Sequence, residues 1–459
     1  MLLFRQFVND DLGCASYLVG DDTEGVAVVV DPPFEIEPLA DAAAESGVRI
    51  ERVLETHTHA DHVSGHGRFA LEQGLPVAIH PLAEPEYPFE PLEDGQVVEV
   101  GSTRIRVIHT PGHRPEHCAF LVDDALVLTG DSLFVGDAAR PDLAVDAREG
   151  AEDLFHSLAK LAGLPPSVEV YPGHVAGSLC GGNMSADRSS TIGRERESNE
   201  ALEFHDAQEF VLVSASVSAP RPPTTERVVG LNRGAWLARP EDPGELEAAG
   251  EATVLDVRPF EAHAAGHIRG AISVPVSATS FGTKAGFVLT AGERIVLHAS
   301  TRDEALQAAR ALWAVGILEL DGYLLRPLAT ETLATVGAAE LKELVDSAQV
   351  QVVDVREASE RDEGYLPGTT NIPYRLMRKI GCGALQRDQP VITVCESGAR
   401  ATIAASLLQR EGFDVRPVAA GGIADLTGDV VSFRRCGGSH STRRDPRAGA
   451  APRSYRHRR

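Results

Sequence analysis

The sequence has few cysteines, no long apolar run and no excess of positive charge, and each absence excludes a class of protein. Its 459 residues include only 6 cysteines, without the dense spacing of a disulfide scaffold. No run approaches the roughly 18 apolar residues of a membrane span, and the N-terminus lacks the pattern of a signal peptide. The formal net charge of −24 argues against nucleic acid or an anionic membrane as a partner. We therefore expect a cytoplasmic protein with reduced thiols.

The length predicts several domains, because a chain of 459 residues exceeds one ordinary core. The Pro-rich segment Ala219–Thr224 is the best candidate linker. Before it, Val211–Ser218 alternates apolar residues with serine, which favours a strand but also fits the end of a helix. Residues 434–459 hold nine Arg and one Asp without apolar periodicity, which predicts a disordered basic tail.

Residues 1–200 alternate short apolar runs with helical segments. Runs such as Val26–Val30 and Ala125–Leu128 are typical of strands buried between layers. Pro38–Ser46 and Gly150–Ala162 have helical spacing. This alternation predicts a layered α/β domain.

An internal repeat follows the linker. Val254–Arg258 recurs as Val352–Arg356, and Gly266–Pro275 recurs as Gly364–Pro373, both at an offset of 98 residues (352 − 254 and 364 − 266). The repeat predicts two homologous α/β modules of about a hundred residues each.

Histidines and aspartates follow the strand-like runs of the N-terminal half, where they can meet at one edge of a sheet. Imidazole and carboxylate ligands suit zinc or non-haem iron, and seven candidates exceed the four ligands of a closed structural site. The pattern therefore predicts a catalytic metal site. The candidates are His57, His59, Asp61, His62, His113, Asp131 and His174.

The order of these residues resembles the metallo-β-lactamase superfamily, and within it the glyoxalase II and persulfide dioxygenase branches. The resemblance covers residues 1 to about 200 and includes Thr129–Phe134 and Ser190–Arg196. Gly136–Leu143 looks like the Gly-Arg-Pro-Asp-Leu signature of persulfide dioxygenases, with Ala139 where glycine is usual. The resemblance implies an αββα sandwich.

The two branches imply different metals. A persulfide dioxygenase-like site would hold one Fe(II) per chain on His57, His113 and Asp131, with O₂ and a persulfide on the open face. A glyoxalase II-like site would hold two Zn²⁺ ions on all seven residues and activate a hydroxide. The ligand types fit both alternatives. In the iron alternative, the residues beside the metal or at a vestigial second site are His59, Asp61, His62 and His174.

Two further residues receive roles from this resemblance. Arg140 is either a plain surface residue or a cation that binds the charge of a thiol substrate. Cys180 lies six residues after His174 in a Gly-rich loop. It is either incidental or, as in similar fusions with sulfurtransferase modules, an acceptor of persulfide sulfur.

The second repeat carries a cysteine at a strand-to-helix turn. Val391–Val394 precedes the loop Cys-Glu-Ser-Gly-Ala-Arg, in which Cys395 gains thiolate character from the helix N-terminus and from N–H groups such as that of Gly398. Arg400 adds positive charge. Four residues separate Cys395 from Arg400, so the loop resembles a rhodanese, Cys-x-x-Gly-x-Arg, and not a tyrosine phosphatase with five.

The first repeat has no cysteine near this position. The offset of 98 places Leu297 opposite Cys395 and Arg302 opposite Arg400. Without a thiol no persulfide can form, so we expect an inactive rhodanese with a packing or interface role.

The resemblance therefore implies a persulfide dioxygenase–rhodanese fusion. Its predicted parts are a metallo-β-lactamase-fold domain at 1–235, an inactive rhodanese-like domain at 236–328, a rhodanese domain at 329–433 and the tail at 434–459. The implied reaction converts a small-molecule thiol persulfide and O₂ to sulfite and, through Cys395, to thiosulfate in sulfide detoxification, in a homo-oligomer. The alternatives are a two-zinc thioester hydrolase with accessory rhodanese modules and a non-enzymatic scaffold that senses persulfide.

Overall fold

The computed structural model describes residues 1–142, 144–175, 184–185, 187–215, 221–290, 292–326, 328–347, 349–381, 383–425 and 430–431. Cys180 and the tail 434–459 lie outside the described residues, so the predictions made for them are untested. Within these ranges, no helix has both the length and the apolar character to cross a membrane.

The N-terminal part is built from two sheets and the helices that flank them. Its strands are β1 (Leu2–Val8), β2 (Ala15–Asp21), β3 (Val26–Val30), β4 (Arg49–Leu54), β5 (Val77–Ile79), β6 (Glu90–Pro91), β7 (Val97–Val100), β8 (Thr103–His109), β9 (Cys118–Val122), β10 (Leu126–Gly130), β11 (Leu133–Phe134), β12 (Asp137–Ala138), β13 (Glu169–Pro172) and β14 (Ser190–Thr191). Its helices are α1 (Glu37–Glu45), α2 (His66–Gln73), α3 (Ala147–Ala162), α4 (Ile192–Ser198), α5 (Ala207–Ser214) and α6 (Thr225–Arg233).

The two sheets, with orders β1-β2-β3-β4-β5-β6 and β14-β13-β10-β9-β8-β7, pack face to face. Side chains along β3 point alternately to its two faces, and those of Val28 and Val30 lie in one apolar core with side chains of the second sheet. Val29, which points the other way, packs with Leu39 of α1. On the outer face of the second sheet, Leu121 packs with α3 and α5. The predicted αββα sandwich is confirmed.

The segment that fitted either a strand or a helix end is helical through Ser214, in α5. Asp206 caps this helix by accepting hydrogen bonds from the N–H groups of Gln208 and Glu209. The apolar and serine alternation alone did not show this capping residue.

Two parallel α/β modules follow. The middle module contains β15 (Thr253–Asp256), α7 (Phe260–Ala265), β16 (Ile272–Ser273), α8 (Phe281–Val288), β17 (Ile295–His298), α9 (Arg302–Ala314) and β18 (Leu320–Leu324), with sheet order β16-β15-β17-β18. The C-terminal module contains β19 (Val336–Gly337), α10 (Ala338–Ser347), β20 (Gln351–Asp354), α11 (Ala358–Glu363), β21 (Thr370–Asn371), α12 (Met377–Ile380), β22 (Val391–Val394), α13 (Ala399–Arg410) and β23 (Val415–Ala420), with order β19-β23-β22-β20-β21.

The internal repeat corresponds to the same set of arginine hydrogen bonds in both modules. Arg258 donates to the Asp256 carboxylate at 2.7 Å and to the carbonyl oxygen of Gly266 at 2.8 Å. The arginine, aspartate and glycine found 98 residues later make the same bonds at 2.9 and 2.7 Å. In each module, the Asp-Val-Arg motif thus connects the end of one strand, β15 or β20, to the loop that follows the next helix.

The offset between the modules changes after this motif. Asp256 lies opposite His298 in the middle sheet, whereas Asp354 lies opposite Val394 in the C-terminal sheet. The offset is 98 at the aspartates (354 − 256) but 96 at their partners (394 − 298). The middle module therefore has two more residues between these strands.

This change corrects the predicted correspondence. Cys395 directly follows β22 and corresponds to Ala299, which directly follows β17, whereas Leu297 lies inside β17. Arg302 begins α9, whereas Arg400 is the second residue of α13, so these two arginines do not correspond as predicted either. The middle module still has no thiol at this position.

All three parts share one continuous apolar core. The largest buried cluster includes Leu12 and Phe34 of the N-terminal part, Phe281 and Trp313 of the middle module, and Cys395 of the C-terminal module. Since buried apolar surface is the main source of stability, this shared cluster holds the parts together.

Candidate functional site

The seven predicted ligands meet at the ends of strands from both sheets of the sandwich. They follow β4, β8, β10 and β13. All are buried except Asp61, whose side chain is 27% exposed. The fold therefore brings together residues that are up to 117 positions apart (174 − 57).

Three of the seven point free ligand atoms at one place. His57 Nε2 and His113 Nε2 lie 3.9 and 3.4 Å from Asp131 Oδ2. Ligand atoms of the three residues all lie within 4.8 Å of one another. His57 Nε2 and Asp131 Oδ2 are buried and make no hydrogen bond within the described chain. Because buried polar atoms are normally satisfied, this arrangement fits a bound metal ion.

Hydrogen bonds set both rings in the tautomer that a metal needs. The Thr56 hydroxyl donates to Asp31 at 2.8 Å, so it can only accept from His57 Nδ1, 2.9 Å away. His113 Nδ1 donates to the carbonyl oxygen of Arg140 at 3.0 Å. In both rings the proton therefore sits on Nδ1 and the Nε2 lone pair is free for a metal.

His117 supports this group and was not predicted from the sequence. Its Nε2 accepts the Asp131 N–H at 2.8 Å, so its Nδ1 carries the proton and donates to the carbonyl oxygen of Thr110 at 3.0 Å. Burial lowers the pKa of His117 to about 3, which keeps the ring neutral. The available signal was its position four residues after His113.

Asp61, His62 and His174 bond to each other beside the first group. The Asp61 carboxylate lies 2.8 Å from His174 Nε2 and 3.1 Å from His62 Nδ1. His174 Nδ1 also lies 2.7 Å from Asp131 Oδ1. Burial raises the pKa of Asp61, but the two histidines outweigh it and hold the pKa well below its usual range.

His59 turns towards two buried carboxylates. Its Nε2 lies 3.3 Å from Asp31 Oδ1 and 3.2 Å from Glu55 Oε2. Burial lowers the pKa of His59, but these carboxylates outweigh it and hold the pKa well above the usual range. A ligand atom of His59 also lies within 4.8 Å of those of Asp61 and His62, which leaves a second possible metal group.

Arg140 is buried, at 8% exposure, and contacts a carboxylate rather than open space. Its guanidinium donates twice to Asp142, at 2.6 and 2.7 Å, and Arg221 lies 3.2 Å from the same carboxylate. Through its carbonyl oxygen, Arg140 orients His113. A role in substrate binding stays a prediction.

Asn232 of α6 fixes the backbone of the metal-binding loop. Its Oδ1 accepts the Ser64 N–H at 2.9 Å, and its Nδ2 donates to the carbonyl oxygens of His59 and His62 at 2.9 and 2.8 Å. The residue is buried at 4% exposure. This contact joins residues about 170 positions apart, and sequence patterns gave no sign of it.

We expect Asn232→Ala to lower the free energy of unfolding by about 2–4 kcal/mol, because three buried backbone groups lose their partner. Urea unfolding followed by tryptophan fluorescence measures this change. Arg233→Ala is the matched control, since Arg233 makes an ion pair with Glu84 in which the side chains are 35% and 78% exposed; its cost should stay below about 1 kcal/mol. Equal stability of the two variants would contradict the assigned role of Asn232.

The cysteine loop of the C-terminal module joins β22 to α13. The Gly398 N–H donates to Cys395 Sγ at 3.1 Å. Gly398 has φ 101°, and a Cβ there would lie 2.3 Å from the carbonyl oxygen of Ala419, so only glycine fits. Arg400 forms two bonds with Glu360 of α11, at 2.6 and 2.7 Å. Cys395 itself is 1% exposed.

Comparison with known families matches three stretches of the chain. The model described as "Metallo-beta-lactamase superfamily" matches residues 9–174. The model described as "Rhodanese-like domain" matches residues 241–324 and 337–428.

Individual relatives are named for two different chemistries. The probable polyketide biosynthesis zinc-dependent hydrolase BaeB of Bacillus velezensis is 33% identical over 196 residues, which cover 40% of this chain and 83% of the relative. The mitochondrial persulfide dioxygenase ETHE1 of Homo sapiens is 28% identical over 243 residues, 52% of this chain and 91% of the relative. A solved metallo-beta-lactamase from Staphylococcus aureus subsp. aureus COL aligns with TM-score 0.66 at 28% identity, covering 72% of this chain and 99% of that one.

Proposed function

Because the chain belongs to the metallo-β-lactamase superfamily and carries two rhodanese-like domains, we propose that it oxidises a thiol persulfide at one iron and passes sulfur through Cys395. The similarity to a persulfide dioxygenase over 91% of that relative supports the first half. The rhodanese-like loop around Cys395 supports the second half.

The observation that carries the proposal is the unequal state of the seven candidate ligands. His57, His113 and Asp131 present convergent ligand atoms. By contrast, both oxygens of Asp61 already contact histidines. Two imidazoles and one carboxylate on one side of a metal are the donor set of non-haem iron oxygenases. When bound, the iron would supply open positions at which O₂ and the persulfide sulfur meet.

The chain's own residues hold the proposed metal ligands of this site in place. The proposed reaction is R–S–SH + O₂ + H₂O → R–SH + sulfite + 2 H⁺, in which the outer sulfur loses four electrons to O₂. Thr56 and Arg140 fix the two imidazoles, and His117 fixes the backbone of Asp131. This support keeps the donor atoms in place without reorganisation.

Cys395 is proposed to carry the second sulfur. A persulfide R–S–S⁻ transfers its outer sulfur to the Cys395 thiolate, releasing R–S⁻ and leaving a persulfide on Sγ. Sulfite then attacks the outer sulfur, the S–S bond breaks with its electron pair returning to Sγ, and thiosulfate leaves. The Gly398 N–H, 3.1 Å from Sγ, stabilises negative charge there. The predicted domain boundaries and the homo-oligomer remain part of this proposal.

A second candidate function is thioester hydrolysis by two zinc ions. It is favoured by the proximity of His59, Asp61 and His62, which could hold a second metal. The similarity to a relative named as a zinc-dependent hydrolase points the same way. This alternative requires His59 to leave the carboxylates of Asp31 and Glu55.

Metal analysis together with oxygen uptake distinguishes these functions. For the anaerobically purified full chain, we expect about one Fe per chain and O₂ uptake that depends on an added glutathione persulfide. Two Zn per chain, with thioester cleavage and no O₂ uptake, would instead establish the hydrolase. Persulfide binding without either reaction would indicate a sensing scaffold and overturn both enzymatic proposals.

A further inference from the structure

A cavity of about 430 Å³ lies between the N-terminal part and the middle module. Residues of α1 and of the turn between β1 and β2 form one side of it, and residues of α8 and α9 form the other. Small molecules usually bind in cavities of roughly 300–1,000 Å³, often at the boundary between domains. This cavity is therefore large enough to hold a small substrate.

The inner end of the cavity lies against the candidate metal ligands. His62 and Cys14, which are 2% and 3% exposed, both line it. Cys14 forms a β-bridge with His174, and His62 Nε2 has no hydrogen-bond partner in the described part of the chain. The ring of His62 lies 4.3 Å from that of His59, which lies 4.4 Å from that of His57. A molecule in the cavity is thus held at the edge of the metal site.

Two contacts fix the middle module against this end of the cavity. Val63, which directly follows the histidine cluster of the metal-binding loop, donates its N–H to the carbonyl oxygen of Ala314 in α9 at 2.7 Å. Asp11, in the turn between β1 and β2, accepts hydrogen bonds from the N–H groups of Phe281 and Gly282 at 2.5 and 2.9 Å. The metal-binding loop and both helices of the cavity wall are therefore held in one arrangement.

The wall of the cavity is apolar in its interior and offers no free cation. Phe34 and Leu39 line it and are 1% and 0% exposed. Arg310, 49% exposed at the mouth, lies 3.7 Å from the carboxylate of Glu35. Among the described lining residues, Arg310 is thus one guanidinium beside two carboxylates, those of Glu35 and Asp11. Such a wall favours an apolar molecule and disfavours one that carries several negative charges.

We propose that this cavity binds the organic part of the persulfide substrate, and that this part is an uncharged, largely apolar thiol substituent. The inference rests on the oxidation proposed above for the metal site. It assigns the middle module, which lacks a cysteine, a role in substrate selection in addition to packing, because Ala311 and Ala314 of α9 form part of the wall. Burial of one methylene group raises affinity about fourfold, so the length of an alkyl substituent should affect the reaction strongly.

The reaction test compares persulfides that differ only in their substituent, using the full chain and an oxygen electrode. We expect kcat/KM for butyl persulfide to exceed that for methyl persulfide by about tenfold or more, since three more methylene groups enter the cavity. Butyl persulfide should also be used about tenfold more efficiently than glutathione persulfide, because glutathione brings charged groups to an apolar wall. Equal values for the butyl and methyl compounds would overturn the proposal.

A substitution that fills the cavity tests its location. Ala311→Phe places a ring in the space, and we expect the butyl-to-methyl ratio of kcat/KM to fall to about twofold or less. Ala339→Phe, the same change at an exposed alanine of α10, is the matched control and should keep the wild-type ratio. Ala311→Leu, a smaller change, serves if the phenylalanine variant does not fold. A wild-type ratio in a folded Ala311 variant would show that the substituent binds elsewhere.

A binding test does not depend on oxidation. Methyl butyl sulfide has a methyl group in place of the outer S–H of butyl persulfide, so it cannot be oxidised in the same way. Isothermal titration calorimetry of the full chain should give a Kd that is about tenfold or more higher for Ala311→Phe than for wild type and for Ala339→Phe. An equal Kd in all three proteins would overturn the proposed site.

The two tests separate the inference from the proposed function. A wild-type chain that takes up no O₂ with any persulfide, but binds methyl butyl sulfide more tightly than Ala311→Phe does, would refute the dioxygenase and still support the apolar site. A chain that oxidises all three persulfides with similar kcat/KM would support the dioxygenase and refute the selective cavity.

Discussion

Asp131→Asn should abolish metal binding and persulfide-dependent oxygen uptake while leaving the fold intact. The substitution preserves the size of the side chain but removes the negative charge at Oδ2, which lies 3.4 Å from His113 Nε2. Loss of a residue that only orients a metal ligand lowers metal affinity or activity by about 10- to 100-fold. Asp131 is itself a proposed ligand, so we expect oxygen uptake to fall by more than about 100-fold. Iron content per chain and an oxygen electrode measure the two effects.

The matched control is Asp124→Asn, since the Asp124 side chain is 79% exposed and its ion pair among the described residues is with the surface residue Arg106. It should retain wild-type iron and activity. Wild-type iron content in Asp131→Asn would show that the metal is held by the neighbouring group of His59, Asp61 and His62 instead.

Cys395→Ser should separate the two halves of the proposed reaction. Oxygen uptake should stay within about twofold of wild type, because Cys395 lies outside the metal site. Thiosulfate should fall by more than about 100-fold, with sulfite accumulating in its place, because a hydroxyl cannot carry the persulfide sulfur. Chromatographic quantification of both anions from one reaction measures the change.

Cys118→Ala is the control for loss of a thiol. Cys118 is fully buried in β9, and burial raises the pKa of its thiol to about 12, so it stays protonated and unreactive. This variant should keep the wild-type ratio of thiosulfate to sulfite. If Cys395→Ser also keeps that ratio, Cys395 has no part in forming thiosulfate.

The sequence predicted the architecture because its signals were local and periodic. Short apolar runs identified strands such as β3, and the repeat of Asp-Val-Arg identified two related modules. The family resemblance then implied the order of the layers. The correspondence of Leu297 with Cys395 was wrong because a constant offset cannot show the two extra residues before β17.

The site was predictable in its members but not in their orientation. Histidines at strand ends identified the residues, because strand ends of a sandwich share an edge. Which ring nitrogen is free depends on partners distant in sequence, such as the Arg140 carbonyl that orients His113. The rotation of His59 towards Asp31 and Glu55 likewise follows from buried charges that no spacing reveals.

The shared core that runs from Leu12 through Phe281 to Cys395 bears on how this chain can be dissected. Modules joined only by linkers can be cut apart, recombined and melted one by one. Here a cut at the Pro-rich segment would expose the apolar side chains through which the parts now touch. The chain should therefore behave as one cooperative unit, and its catalytic parts should not be interchangeable with free-standing homologues.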